Sequence, residues 1–273
     1  MGEALSLGVD VGASLAKLVL RDPDSVRNEL LPATEVDRLV ERIDALAPAT
    51  LGLTGAGASE VARRIGAKSV RVDEFAAWGA GVRHLLSEQR PEVVEPYLLV
   101  SVGTGTSVLL AQGMSVSRVG GTALGGGALM GLGGLLLGGA SFARLSELAE
   151  RGDRRRVDLL VSDIYQPGEI ALLGDATAAN FGKPDMHALE ASPEDLSHAL
   201  MGLVGENVAL ICVGLAAAHG VRTIVYGGAT LRENPALRGV LAAITAAFGR
   251  EPILLEGGEF AGALGALALS GGV

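Results

Sequence analysis

The chain has one cysteine in 273 residues, Cys212, so no intrachain disulfide can form. That cysteine lies in the apolar run 209–213, where an inert buried thiol is expected. Aromatic residues make up only 3% of the chain, with Trp78 the one tryptophan, which leaves no stacking platform for nucleic acid. Positive charge is also short: 22 Lys and Arg against 31 Asp and Glu give a formal net charge of −9. A nucleic-acid partner needs a basic face, so none is expected. Nucleotide binding stays open, because backbone N–H groups and one metal ion suffice to hold a triphosphate. The four histidines (His84, His187, His198, His219) are scattered without ligand spacing, and no zinc site is expected. The opening MGEALSLGVDVG has no basic region followed by an apolar one, so it does not read as a secretory signal; a cytoplasmic protein is expected. No GxxxxGK followed by Ser or Thr occurs, which excludes a P-loop.

One long stretch lacks charge altogether. Val119 to Ala140 is 22 residues long, enough to cross a membrane, but 10 of them are glycine. Clustered glycines lower helix propensity by about 1 kcal/mol each. A buried glycine-rich turn leading into a core helix is expected instead, with no membrane partner. The length allows one large domain or two lobes.

Short apolar runs around Asp10-Val11-Gly12-Ala13-Ser14 predict a hairpin over residues 5–20. The same pattern returns about 90 residues later, where Tyr97–Val102 leads into Gly103-Thr104-Gly105-Thr106-Ser107 and Val108-Leu109-Leu110 runs back. Helices are predicted over 35–46, 58–65, 75–86, 196–219, 235–248 and 260–269, with further helix dominating 128–161. Strands are predicted at 51–55, 70–72, 223–226 and 253–255. Strands alternating with helices indicate an α/β fold. No linker divides the chain, so two closely packed lobes are expected, residues 1–95 and 96–273, with a cleft between them.

Glycine turns suit phosphates, since they approach closely and present converging N–H donors. Asp10, Gly12 and Ser14 form one candidate site and Gly103, Thr104, Gly105 and Thr106 the other. The Asp10 carboxylate adds a ligand for Mg²⁺, which commonly takes one or two protein carboxylates and phosphate oxygens. Lys17, on the return strand, is placed to reach phosphate oxygens, or it faces solvent. Tyr226-Gly227-Gly228-Ala229-Thr230 ends a strand and either admits a flat adenine ring or is a structural turn. Gly125-Gly126-Gly127 does not read as the strand-to-helix context of a dinucleotide fingerprint, which lowers a Rossmann reading.

The strand with Asp10-x-Gly12, the segment 102–107 and Tyr226-Gly227-Gly228 resemble the phosphate 1, phosphate 2 and adenosine motifs of the acetate kinase–sugar kinase–Hsp70–actin superfamily. Val72-Asp73-Glu74-Phe75, the run Arg118 to Gly127, the run Gly174 to Gly182 and the stretch Glu256 to Ala266 are similar to those of type II pantothenate kinases, in order and spacing over about residues 5–270. The resemblance implies an actin/hexokinase/Hsp70-like (ribonuclease H-like) fold with duplicated mixed sheets flanked by helices. It implies ATP-dependent phosphorylation of the primary hydroxyl of pantothenate, the first committed step toward coenzyme A, by a homodimer. ATP would occupy the two glycine turns together with Gly125, Gly126, Gly127, Gly227 and Gly228.

Most sugar kinases of the superfamily carry a catalytic Asp at the second phosphate turn; here that region reads Ser101-Val102-Gly103. The resemblance places the general base at Glu74 instead, and an alcohol attacking a γ-phosphate needs such an acceptor in line. Asp73 beside it reads as a helix cap. Arg118 suits the substrate carboxylate, which a guanidinium pairs bidentately. Asn180 is a candidate for the substrate's hydroxyl or amide groups. Two other readings stay open: a sugar or N-acetylhexosamine kinase of the same fold, and a non-catalytic nucleotide-dependent regulator.

Overall fold

The computed structural model describes residues 5–113, 115–169, 176–183 and 191–271. Its first part contains β1 (Ser6–Val11), β2 (Leu15–Asp22), β3 (Ser25–Pro32), α1 (Val36–Leu46), β4 (Thr50–Thr54), α2 (Ala58–Arg64), β5 (Val70–Arg71) and α3 (Glu74–Gln89). Next come β6 (Tyr97–Val102), β7 (Thr106–Gln112), β8 (Ser115–Thr122), α4 (Gly126–Leu137), α5 (Phe142–Arg151), β9 (Leu159–Leu160), α6 (Val161–Ile164) and β10 (Thr177–Ala179). The chain closes through α7 (Pro193–Ala218), β11 (Thr223–Gly227), α8 (Pro235–Ala247), β12 (Glu251–Leu254) and α9 (Ala261–Leu269).

Two five-stranded sheets repeat one plan. The first has the order β3-β2-β1-β4-β5 and the second β8-β7-β6-β11-β12. In each, the first three strands form an antiparallel meander and the last two join in parallel. β1 and β6 are central strands, and their apolar side chains (Leu7, Val9, Val11; Leu98, Val100, Val102) are buried. The expected duplicated mixed sheets are therefore present. The third strand of each meander was not expected. β3 is an exposed edge carrying Arg27, Asn28 and Glu29, and β8 is rich in Ser and Gly, so neither shows an apolar pattern of period two.

Local signals fix several helix starts. Ser192 accepts from the Asp195 N–H ahead of Pro193 in α7, and Asn234 accepts from the Leu237 N–H ahead of Pro235 in α8. α1 buries Leu39 and Ile43 on one face against the first sheet. α7 is the one described helix long and apolar enough to cross a membrane, but Leu200, Val204, Val208 and Cys212 on it are buried in the second sheet's core.

The inner helices are exchanged between the sheets. α3 lays Trp78, Val82, Leu85 and Leu86 on β6, β7, β11 and β12 of the second sheet, while α9 lies on the first. The contact of α9 is made of backbone more than of bulk. A Cβ on Gly8 or Gly52 would stand 2.1 Å from the α9 carbonyls of Ala263 and Ala266. The crossing of α3 and α9 is as close: a Cβ on Gly81 would meet the Ala261 carbonyl at 1.8 Å, and one on Gly265 the Ala77 carbonyl at 1.7 Å. Side chains of one atom or none hold the two sheets at a fixed distance across this pair.

One expectation about the glycine-rich stretch fails. α4 is not a core helix: it buries only Leu129 and Gly133, and Leu135 is 84% exposed. Gly125–Gly127 does lie between a strand, β8, and a helix, α4. That strand is the antiparallel edge of its sheet, so the segment is still no parallel crossover of the dinucleotide-binding kind.

Candidate active site

The turn after β1 places one charge pair at the bottom of a cleft. Asp10 and Lys17 are register partners across β1 and β2, and Lys17 Nζ donates to Asp10 Oδ2 at 3.2 Å. Asp10 is 3% exposed. Two glycines wall it in. A Cβ on Gly55, where φ is +87°, would lie 2.6 Å from Asp10 Oδ1, and one on Gly262 would lie 2.8 Å from Oδ2. Burial pushes the Asp10 carboxyl above its ordinary value, and Lys17 pulls it partly back. The Gly12 N–H donates to the Leu15 carbonyl and closes the hairpin tightly.

The turn after β6 has no charged side chain. Its carbonyls are all held from behind. Gly103 O accepts from the Gly126 N–H at 2.8 Å and from Thr230 Oγ1 at 2.8 Å. Thr104 O accepts from the Gly127 N–H at 2.9 Å, and Gly105 O from the Gly103 N–H at 2.9 Å. Among the described residues the Thr104 and Gly105 N–H groups have no backbone acceptor, so they remain available to a ligand. The first N–H groups of α4 are thus engaged on the turn rather than open to phosphate. Gly126 and Gly127 line the cleft, whereas Gly125 is buried behind the turn, where a Cβ would meet the Gly103 carbonyl at 2.7 Å. The two turns touch: Ser14 Oγ and Thr104 Oγ1 are 2.8 Å apart.

The third glycine site lies against the second. Gly228 has φ +112°, and a Cβ there would stand 2.4 Å from the Val102 carbonyl, so the strand end of β11 packs backbone to backbone on that of β6. Gly228, Ala229 and Thr230 line the cleft, while Gly227 sits behind it near Trp78 and Gly258.

Glu74 begins α3 and enters the same cleft, which has a volume of about 910 Å³. Asp73 caps that helix, accepting from the Ala76 N–H at 2.9 Å, as its position suggested. Partial desolvation raises the Glu74 carboxyl above its usual value, the negative charge of Asp10 raises it further, and Lys17 works against both. Arg118, on β8, lines the cleft over Gly121, where any Cβ would lie 2.8 Å from its guanidinium. It is exposed and has no ion-pair partner among the described residues. The arrangement brings together a buried carboxylate–lysine pair, two sets of turn N–H donors, a raised carboxyl and an open guanidinium.

Asn180 is not brought there. Its Nδ2 donates to Glu206 Oε2 at 2.9 Å, inside a network in which Glu206 Oε1 accepts from Arg154 at 2.6 Å and from Thr177 at 2.7 Å. Gly174 and Asp175 of the same segment lie outside the described residues. Cleft residues that the sequence did not single out as ligands include Ser107, Thr122, Phe142, Ser146, Glu147 and Glu150. Ser101, which also lines the cleft, carried a signal, as the polar residue interrupting the apolar run of β6.

Residues 33–269 match the family described as Fumble. The type II pantothenate kinase of Staphylococcus aureus (strain USA300) is 37% identical over 268 residues, which cover 97% of this chain and 99% of that protein. The type II pantothenate kinase of Staphylococcus haemolyticus (strain JCSC1435) is 34% identical over 97% of this chain and 100% of its own length. Among solved structures, the activator of the 2-hydroxyisocaproyl-CoA dehydratase from Clostridium difficile with bound ADPNP matches with a TM-score of 0.64 at 18% identity, over 97% of this chain and 94% of that one. A ROK family glucokinase from Streptomyces griseus in complex with glucose and AMPPNP matches with a TM-score of 0.57 at 14% identity, over 97% and 99%. These two likenesses concern the fold alone. They agree with the two-lobed hexokinase-like α/β architecture expected from the motifs.

Proposed function

The chain belongs to the Fumble family together with the type II pantothenate kinases, and we propose that it transfers the γ-phosphoryl group of ATP to the primary hydroxyl of pantothenate, giving 4′-phosphopantothenate, the first step of coenzyme A synthesis. The observation that carries this reading is the gathering of Asp10, Lys17, both glycine turns, Glu74 and Arg118 in one cleft.

ATP lies with its phosphates on the turns at Gly12–Ser14 and Gly103–Thr106 and its base toward Gly228. The N–H groups of Thr104 and Gly105 and the Lys17 ammonium face the phosphate oxygens. Asp10 fits a Mg²⁺ ion: it is a single buried carboxylate between two glycines, and no group of three potential ligands exists among the described residues, which suits an ion completed by phosphate and water. When bound, Mg²⁺ supplies charge neutralisation to the transferring group.

Arg118 pairs with the pantothenate carboxylate and sets the hydroxyl in line with the γ-phosphorus. The alcohol oxygen bonds to phosphorus, the bond to the ADP oxygen breaks, and the hydroxyl proton passes to Glu74. The raised Glu74 carboxyl suits this, because a base works best with a pKa closer to the working pH. Ser101 leaves the second turn without a carboxylate, so Glu74 supplies the proton acceptor from across the cleft.

We place the protein in the cytoplasm as a homodimer, with no membrane and no nucleic-acid partner. The exposed apolar side chains of α4 outside the cleft, Leu132, Leu135 and Leu136, support the dimer. The test of the reaction is ADP release with pantothenate, with N-acetylglucosamine and with no acceptor. Release on pantothenate alone is expected. Release on the sugar makes the chain a sugar kinase of the same fold, and no acceptor-dependent release with either compound points to a nucleotide-dependent regulator.

A further inference from the structure

A peptide unit is planar and trans, so its C=O and its N–H point in opposite directions. In the second glycine turn the carbonyl of Gly103 shares a unit with the N–H of Thr104, and the carbonyl of Thr104 shares one with the N–H of Gly105. Holding these two carbonyls from behind therefore turns the two N–H donors outward, to a ligand. The Thr104 carbonyl is held by the Gly127 N–H. The Gly103 carbonyl has two partners, the Gly126 N–H and the Thr230 hydroxyl, each at 2.8 Å.

Among the described residues, the Thr230 hydroxyl is the one side-chain donor to either carbonyl. It is placed with little freedom. Thr230 is 5% exposed, and a Cβ on Gly126 would stand 2.7 Å from its Oγ1, so the hydroxyl fills the point where the end of β11, the turn after β6 and the start of α4 meet. The Thr230 carbonyl accepts from Nδ2 of the fully buried Asn234 at 3.3 Å, which fixes the residue from its other side. The Gly103–Thr104 unit needs such a hold. Gly103 has no Cβ to resist a reversal of that unit, and a reversed unit would set a carbonyl oxygen, not an N–H, against a phosphate.

We propose that Thr230 is a positioning residue for the bound triphosphate: its hydroxyl keeps the Gly103–Thr104 peptide unit turned so that the Thr104 N–H faces a phosphate oxygen. The proposal rests on the reading of the cleft as an ATP site, and not on the identity of the acceptor. Its test is calorimetric binding of magnesium ATP, magnesium tripolyphosphate and adenosine, with no acceptor present, to the protein and to Thr230→Val and Thr230→Ser. Thr230→Val keeps the shape and removes the hydroxyl. It should weaken ATP and tripolyphosphate alike by about 2- to 13-fold, the effect of one neutral hydrogen bond, and leave adenosine unchanged. Thr230→Ser should restore both affinities. Should Thr230→Val not fold, Thr230→Ala carries the same expectation. Unchanged ATP affinity without the hydroxyl overturns the proposal, as does a loss that adenosine shares or one that Thr230→Ser does not restore. An unsubstituted protein that binds adenosine as tightly as ATP has no phosphate cradle to hold, and overturns it too. Hydroxyl-dependent ATP binding without ADP release on pantothenate supports the positioning role while overturning the kinase reading.

Discussion

The turn after β1 and the turn after β6 occupy equivalent places in two sheets of identical strand order, yet they are built differently. The first surrounds a buried carboxylate with glycine and pairs it with Lys17. The second has no charge, and its shape is held by N–H groups of Gly126 and Gly127 and by the Thr230 hydroxyl. Duplicating a backbone thus yields two surfaces that a phosphate can approach, while the charge that chemistry needs is placed only once. A second buried carboxylate at Ser101 would stand against the same phosphates. Glu74, which enters from α3 outside both turns, supplies a proton acceptor without that repulsion inside the cradle.

The strongest way to break this division of labour is at Glu74. Glu74→Gln keeps the shape but cannot take the proton, so kcat should fall by about 10²–10⁴-fold while ATP binding stays nearly unchanged. The unsubstituted enzyme should gain activity as pH rises through a value above the usual glutamate range, because the raised carboxyl must ionise to act. That limb should vanish in the variant. Normal kcat in Glu74→Gln would leave the base unassigned.

Asp10→Asn tests whether the charge of the first turn serves function rather than folding. Turnover should drop by about 10²-fold or more if the carboxylate holds the metal. Stability should behave oppositely. The folded pKa of Asp10 is raised, so between the ordinary aspartate value and the raised one the folded chain binds the proton more tightly than the unfolded chain does. Stability then falls as pH climbs through that window, and above it the Asp10 charge opposes folding. The melting temperature of Asp10→Asn at pH 7 should therefore be unchanged or higher. Parallel loss of activity and stability would make Asp10 a structural residue.

Arg118→Ala sharpens the comparison from the acceptor side, since Arg118 belongs to the meander of the neutral turn. The KM for pantothenate should rise by roughly 10- to 150-fold, the effect of losing one charged hydrogen-bond partner, with the KM for ATP little changed. Equal shifts in both constants would move Arg118 to the phosphates.

The charged turn was legible in the sequence because Asp10, Gly12 and Lys17 lie within eight residues and share one hairpin. The neutral turn was legible as glycine but not in its construction. The partners of Gly103 and Thr104 come from Thr230 and from α4, and no local spacing announces such contacts. Gly125, Gly126 and Gly127 were expected in the ATP site for the same reason: a glycine run shows that a close approach occurs, not what approaches. Asn180 looked like a substrate ligand because its partner, Glu206, is 26 residues away on a different element. Glu147 and Glu150, which line the cleft from α5, were missed although their helical spacing is plain, because surface helices commonly carry acids at such intervals.

The smallest expected effect bears most directly on whether the two turns work as one. Ser14 and Thr104 share a single hydrogen bond across the cleft floor, at 2.8 Å and in an exposed place. Such a bond contributes about 0.5–1.5 kcal/mol when it is not competing with water, and less where water replaces it. Ser14→Ala and Thr104→Val, alone and together, form a double-mutant cycle read in ATP affinity. If the bond holds the charged turn and the neutral turn in a common frame around the phosphates, the combined loss should differ from the sum of the single losses by about 0.5 kcal/mol or more. If each turn binds its phosphates independently, the losses should add. Additivity would reduce the contact to a coincidence of two hydroxyls, and the fixed spacing of the turns would then rest on the glycine-lined crossing of α3 and α9 alone.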